Sequence, residues 1–137
     1  MSKYCEKAME YHGKGYNCAQ AVLCAFADKT DTDFEVLYKM SEGLGAGMGN
    51  RKNTCGALSG AVMLAGLVVS GGTGKETTKA ETYKVVSELA DEFEMRCGAF
   101  VCEEIKGLKN SQPTVSCDEC IKCAVEAAER VLFGQQL

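Results

Sequence analysis

The chain has 137 residues, nine of them cysteine, with 46% hydrophobic residues, a single histidine and a single proline. That length suits one domain, residues 1–137, with a real core, and the formal charge of -4 excludes the basic field a nucleic-acid partner needs. The N-terminal MSKYCEKAMEYHGKG holds no apolar stretch and cleavage site, so no secretory signal is expected. The expected location is a reducing cytoplasm, where cysteines serve metal or redox chemistry more often than structural disulfides.

Helical spacing runs through the chain and strand-like alternation is scarce, which predicts an all-α, single-domain bundle of about six helices. A first helix is predicted near residues 2–13, ended by Gly13 and Gly15. A second runs from Cys18 to about Asp28, with Ala21, Val22, Ala25 and Phe26 on one face. A third spans about Asp33 to Glu42, started by the Asp31, Thr32, Asp33 cap cluster. The glycine-rich GLGAGMGN, with glycines at 43, 45, 47 and 49, then leads into a central buried helix opened by Thr54. From Thr54 to Gly72 no residue is charged, but the strongly apolar part is about 15 residues, short of the roughly 20 that cross a bilayer, so no membrane span is expected. After the Gly71-Gly72-Thr73-Gly74 break, one long helix is predicted from about Lys75 to Gly107, with an apolar stripe that includes Leu89, Phe93, Cys97, Val101 and Ile105. A polar loop from Lys109 to Val115 holds Pro113, and a last helix runs from Cys117 to about Phe133.

The cysteines sort by helical position. Cys18 follows Asn17 and Cys55 follows Thr54, two preferred N-cap residues, and Cys117 follows Ser116, which has capping-box spacing to Glu119. A sulfur at a helix start faces free backbone N–H groups and the positive end of the dipole, which favours thiolate, the nucleophile and metal ligand. Cys97 lies in the apolar stripe and is assigned to the core. Cys102 lies about 100° around the axis from Val101 and off the stripe, which favours a role other than packing. Cys117, Cys120 and Cys123 are spaced by three, so neighbouring pairs share a face. Cys5 and Cys24 have no partner by spacing and read as buried thiols.

Other chemistries fit less well. The glycine loop precedes a helix, but no predicted strand leads into it and no GKS/T follows, so a nucleotide site is not expected. The glycines Gly45, Gly47 and Gly56 are expected instead to let backbone approach the Cys55 sulfur or a bound cofactor. His12 reads as a surface residue with no evident nucleophile or orienting carboxylate, which argues against hydrolysis. Gly56 and Gly60, spaced by four, offer a small-residue face that could bring the Cys18 and Cys55 helix starts together.

YNCAQAVLCAF, GLGAGMGNRKNTCGALSGAVMLAGL, a cysteine late in a long helix and a cysteine opening the last helix follow one another in this order. The pattern resembles the C-GCAxxG-C-C family of redox-active proteins over nearly the whole chain. The resemblance implies a four-cysteine redox site at Cys18, Cys55, Cys102 and one cysteine of the final cluster. Cys120 fits best there, because Ala124, Ala127, Ala128 and Glu129 then fall where the family's closing helix pattern puts them. Four functions compete, and the first is the expected one. The first is ligation of an iron–sulfur cluster by Cys18, Cys55, Cys102 and Cys120, for electron transfer or sensing. The second is a thiol–disulfide protein using the same cysteines without metal. The third is a structural zinc module with an all-cysteine site that presents a helical surface to a partner. The fourth is a plain helical domain whose cysteines pack. Electron transfer implies a redox partner protein that the sequence leaves unidentified, and a homo-oligomer stays open.

Overall fold

The computed structural model describes residues 1–74, 77–106 and 115–134. Within them lie seven α-helices: α1 (Lys3–Gly13), α2 (Cys18–Ala25), α3 (Phe34–Glu42), α4 (Gly56–Val69), α5 (Lys79–Cys97), α6 (Cys102–Ile105) and α7 (Cys117–Phe133). The chain is all-α, as its helical spacing predicts, and among the described residues Thr54 and Val101 form one isolated antiparallel bridge. None of the described helices is long and apolar enough to cross a membrane.

Two helices are anchored by side-chain caps that the sequence displays. Asn17 and Gln20 close a capping box at the start of α2, with Gln20 N–H donating to Asn17 Oδ1 and Asn17 N–H to Gln20 Oε1, both at 2.9 Å. Ser116 accepts from Glu119 N–H at 3.1 Å at the start of α7. Two expected caps differ. Cys55, not Thr54, is the N-cap residue of α4, and no side-chain hydrogen bond caps either α4 or α3. The second helix is also shorter than its apolar pattern suggests. It ends at Ala25, and Ala27–Lys29 forms a 3-10 turn.

The core is built around α2 and α4. Every residue of α2 after Cys18 is buried, and the helix packs against α1, α3, α4 and α7. α4 packs against α2, α5 and α7 and buries Ala57, Leu58, Ala61, Leu64 and Ala65. The contact of α2 with α4 is made by backbone: a Cβ at Gly60 would lie 2.7 Å from the Ala19 carbonyl oxygen and one at Gly56 3.3 Å from the Ala19 nitrogen, while Leu44 of the glycine loop brings its carbonyl oxygen within 2.9 Å of the latter. Tyr4, Phe26 and Phe133 stack in the core at centroid separations of 4.6 and 5.8 Å, joining α1 and the end of α2 to the end of α7.

The predicted helix over 75–107 is two helices. The chain leaves α5 after Cys97, where Gly98 takes the left-handed conformation (φ 85°) and its N–H returns to the Glu94 carbonyl at 2.7 Å. The apolar stripe continues past the break because α6 buries Ile105 in the same core, so periodicity alone does not reveal the turn. The break lets residues 98–101 fold back along the strand-like segment before α4. Cys55 N–H donates to the Phe100 carbonyl at 2.7 Å, and Cys102 N–H to the Asn53 carbonyl at 2.9 Å. The predicted ends of the long helix, Lys75 and Gly107, and the loop around Pro113 lie outside the described residues.

Replacing Gly60 by Ala should drive a methyl group into the Ala19 carbonyl. The expected loss is about 1–3 kcal/mol of stability, the usual cost of overpacking, read as a lower urea midpoint with an unchanged m-value. Gly13→Ala, at a site where a Cβ meets nothing within 4 Å, is the control, and equal midpoints for the two variants would refute the close contact.

Candidate functional site

The starts of α2, α4, α6 and α7 converge. Cys18 is the first residue of α2, Cys55 the cap residue of α4, Cys102 the first of α6 and Cys117 the first of α7. All four cysteines line a single pocket of about 420 Å³. The sequence brings Cys18, Cys55 and Cys102 forward as site residues, and the structure places them together. The fourth expected residue, Cys120, is fully buried one turn further into α7 and does not line the pocket; Cys117 takes that place.

The glycine loop seats the pocket's remaining wall. Ala46, Gly47, Met48, Gly49 and Arg51 all have positive φ, from 54° to 82°. Three of them are not glycine, a strain of about 1–2 kcal/mol each that surrounding packing must hold in place. The loop is clamped at both ends. Asn17 Nδ2 donates to the Glu42 carbonyl at 2.8 Å, and a Cβ at Gly45 would lie 2.3 Å from the Asn17 side chain. A Cβ at Gly47 would lie 2.6 Å from the Cys102 Cβ. Gly47 and Gly56 line the pocket, whereas Gly45 is used against Asn17. The close approaches at these glycines are made by other parts of the chain. The loop delivers Arg51 to the pocket, and α6 delivers Lys106, whose Nζ donates to the Val115 carbonyl at 2.7 Å.

Behind the pocket, Cys97, Cys120 and Cys123 are buried in the same core cluster as Cys55. Cys97 is buried in the core, as its stripe position predicts. Cys5 is fully buried with Met1 Sδ 3.5 Å from its sulfur, and Cys24 is buried in the core. Both stand apart from the pocket.

The helix-start argument for thiolates is outweighed. Burial, then the neighbouring Cys117 and Cys55, push the Cys18 thiol well above the ordinary range. The contact with Cys120, with burial second, does the same to Cys55, although the N–H groups of Ala57 and Leu58 at the start of α4 pull in the expected direction. Cys102 is raised by burial, with Lys106 and Arg51 opposing. Cys97 and Cys120 are pushed up to about 12: for Cys120 the Cys55 contact lowers the value, but the Cys97 contact and burial win, and for Cys97 the Cys120 contact lowers it while Cys123 and burial raise it. Cys123 is lowered, first by its contact with Cys97 and also by Arg96, against burial. Lys106 responds to the sulfurs. Burial works to lower its pKa, yet Cys120, Cys117 and Cys55 lift it above the usual lysine value, so it is firmly cationic.

Three pocket residues escape sequence reasoning. His12 is in the pocket wall, and its Nδ1 lies 2.7 Å from Asp118 Oδ1, so it has the carboxylate partner that sequence proximity does not reveal. Lys106 stands four residues after Cys102, a helical spacing that flags it in retrospect. Arg51 carries no such signal. The pocket thus offers four thiols and the His12 imidazole, with the cations Arg51 and Lys106 beside them. Among the described residues, no group of three or more His, Cys, Asp or Glu side chains is arranged to hold a metal ion.

The sequence model of a family described as "Putative redox-active protein (C_GCAxxG_C_C)" matches residues 16–131. No curated protein and no solved structure matches the chain.

The raised thiols make stability depend on pH in a defined direction. Cys18, Cys55, Cys97, Cys102 and Cys120 keep their protons in the folded chain beyond the pH at which they lose them when unfolded, about 8.5. The unfolded state therefore binds fewer protons above that pH, and stability present below it is lost as pH rises toward the folded values. Urea midpoints under reducing conditions should fall between roughly pH 7.5 and 10, and fall less in Cys97→Ala. A flat profile would show that these thiols ionise alike in both states.

Proposed function

The chain belongs to the C_GCAxxG_C_C family, and from that premise we propose that it is a thiol–disulfide redox protein whose pocket thiols exchange electrons with a disulfide-bearing substrate. The observation that carries this reading is the gathering of Cys18, Cys55, Cys102 and Cys117 in one pocket beside Lys106 and Arg51. Exchange needs two thiols that can reach each other and one that can reach the substrate. Cys18 and Cys117 are the partly exposed members of the group. Cys117 opens α7 beside the Lys106 ammonium and is the attacking sulfur. Its thiolate displaces one thiolate from the substrate disulfide and forms a mixed disulfide. Cys18 then attacks the Cys117 sulfur and releases the second. The substrate gains two electrons, the protons of the two cysteine thiols go to the leaving thiolates, and the chain holds a Cys18–Cys117 disulfide. The reading expects a reducing compartment such as the cytoplasm, where the other thiols persist, and a partner dithiol that restores the pair.

An iron–sulfur cluster on Cys18, Cys55, Cys102 and Cys120 is the rival. It requires four sulfurs around one centre. Three of them line the pocket, and Cys120 is buried in the core. The Cys120 set does not fit a cluster as arranged. Cys18, Cys55, Cys102 and Cys117 do share one pocket, but among the described residues no group of three or more His, Cys, Asp or Glu side chains is arranged to hold a cluster or a zinc ion.

Protein purified without oxygen should be colourless, with little iron, zinc or acid-labile sulfide. Incubation with oxidised glutathione should remove two free thiols per chain, and Cys117→Ser and Cys18→Ser should slow reduction of a small disulfide by at least about ten-fold, whereas Cys5→Ser and Cys24→Ser should not. Brown protein with near-equal iron and sulfide would overturn the reading in favour of the cluster, and stoichiometric zinc alone would overturn it in favour of a structural site.

A further inference from the structure

Arg51 lines the pocket, yet thiol exchange assigns it no task. It is also held at a cost. Its φ is 65°, a left-handed backbone that an arginine keeps only where its surroundings fix it. The loop that carries it is pinned where Asn17 Nδ2 meets the Glu42 carbonyl at 2.8 Å, and it lies on Cys102 at Gly47. The second cation, Lys106, comes from another element. It ends α6 four residues after Cys102, with its N–H on the Cys102 carbonyl at 3.0 Å and its Nζ on the Val115 carbonyl at 2.7 Å. Lys106 is half-buried and Arg51 is exposed, so one charge stands in the pocket wall and the other at its rim. The chain has 19 acidic residues against 15 Lys and Arg, yet among the described residues no carboxylate lines this pocket. Asp118, next to Cys117, is outside the lining and is engaged by His12 at 2.7 Å.

We infer that the pocket takes small disulfides that carry a carboxylate a few atoms from the sulfur, with Arg51 and Lys106 binding the carboxylate. The inference rests on the thiol–disulfide reading and names its substrate class. Size sets the first limit. A pocket of about 420 Å³ is of the volume that holds a small molecule, not a protein surface. Charge sets the second. A guanidinium presents its N–H groups in a fork that matches the two oxygens of a carboxylate, and an ammonium adds a point charge. Inside a partly closed pocket that attraction is stronger than in open water. A cationic disulfide meets like charge there, and a neutral one gains nothing from either residue. Arrangement sets the third. The sulfurs of Cys18, Cys55, Cys102 and Cys117 share one wall with the two cations, so the anion and the sulfur of the ligand must also be close together. Arg51 and Lys106 make and break no bond in this scheme. They hold the substrate while its disulfide meets the pocket thiols.

The first test needs no redox step. Iodoacetate and iodoacetamide alkylate the same thiols, forming a C–S bond with loss of iodide, and differ in the carboxylate. Their relative rates at Cys18 and Cys117 are read by peptide mapping of the reduced full chain. The iodoacetate-to-iodoacetamide ratio should be at least about five-fold higher in the folded chain than in urea, because the pocket concentrates the anion. That excess should shrink as salt is raised and should be largely lost in Arg51→Gln. The second test follows oxidation of the reduced chain by three disulfides of similar length: anionic 3,3′-dithiodipropionate, neutral bis(2-hydroxyethyl) disulfide and cationic cystamine. Second-order rate constants should fall in that order, and Arg51→Gln should lower the anionic-to-neutral ratio about five-fold. An unchanged alkylation ratio between folded and unfolded chain would overturn the inference. So would a neutral or cationic disulfide that reacts as fast as the anionic one, and that result would leave the exchange reading standing. An iodoacetate preference abolished by Arg51→Gln, with none of the three disulfides reduced, would instead overturn the exchange reading and leave the anion site in place. The wild-type comparisons decide the matter even where Arg51→Gln fails to fold.

Discussion

The rest of the site depends on α4 lying backbone-to-backbone against α2, with Gly60 on Ala19 and Gly56 on Leu44 and Ala19. A side chain at either position would push the chain segments apart, because its Cβ would lie under 3 Å from a backbone oxygen. With both absent, the starts of the two helices come level, and Cys18 and Cys55 face one pocket. The glycine loop follows from the same closeness. Its left-handed residues turn the chain within a few positions, so that Asn17 packs against Gly45 while Gly47 lies on Cys102. Strain at Ala46, Met48 and Arg51 persists because the loop is fixed at Asn17 and Cys102. Stability supplied by the core is thereby used to place Arg51 and three sulfurs.

Bringing sulfurs together in a buried place has an electrostatic consequence. Each thiolate that forms raises the cost of forming the next, and burial raises the cost of all of them. The helix dipole and a few N–H groups offer less than this, which is why Cys18 and Cys55 hold their protons despite standing at helix starts. Lys106 is the compensating charge. Its ammonium sits among Cys117, Cys120 and Cys55, and the same sulfurs keep it protonated. In this pocket burial and neighbouring sulfurs oppose negative charge, and Lys106 favours it.

Much of this was legible in the sequence, for local reasons. Asn17 with Gln20 and Ser116 with Glu119 are caps made within four residues, and they place Cys18 and Cys117 at helix starts as read. The Gly56 and Gly60 spacing announces close packing before any partner is known. What was missed is tertiary. The stripe through Cys97, Val101 and Ile105 is continuous in sequence because the core is continuous in space, and it conceals the turn at Gly98. The same stripe marks Cys97 as buried without saying that Cys120 and Cys123 share its core cluster. His12 and Asp118 are 106 residues apart, and nothing local joins them. Glycines advertise left-handed backbone, but Ala46, Met48 and Arg51 adopt it without advertising it.

The spacing of three on α7 sends its cysteines to different places. Residues three apart on a helix share a face but drift around the axis, so a run of them does not aim at a single point. Cys117 therefore reaches the pocket, whereas Cys120 and Cys123 turn into the core. Only the first of the three sulfurs can join Cys18, Cys55 and Cys102, because they stand at the starts of their own helices and the pocket is where those starts meet. The position of a cysteine relative to its helix start, rather than the number of cysteines on the helix, decides which sulfur enters the site.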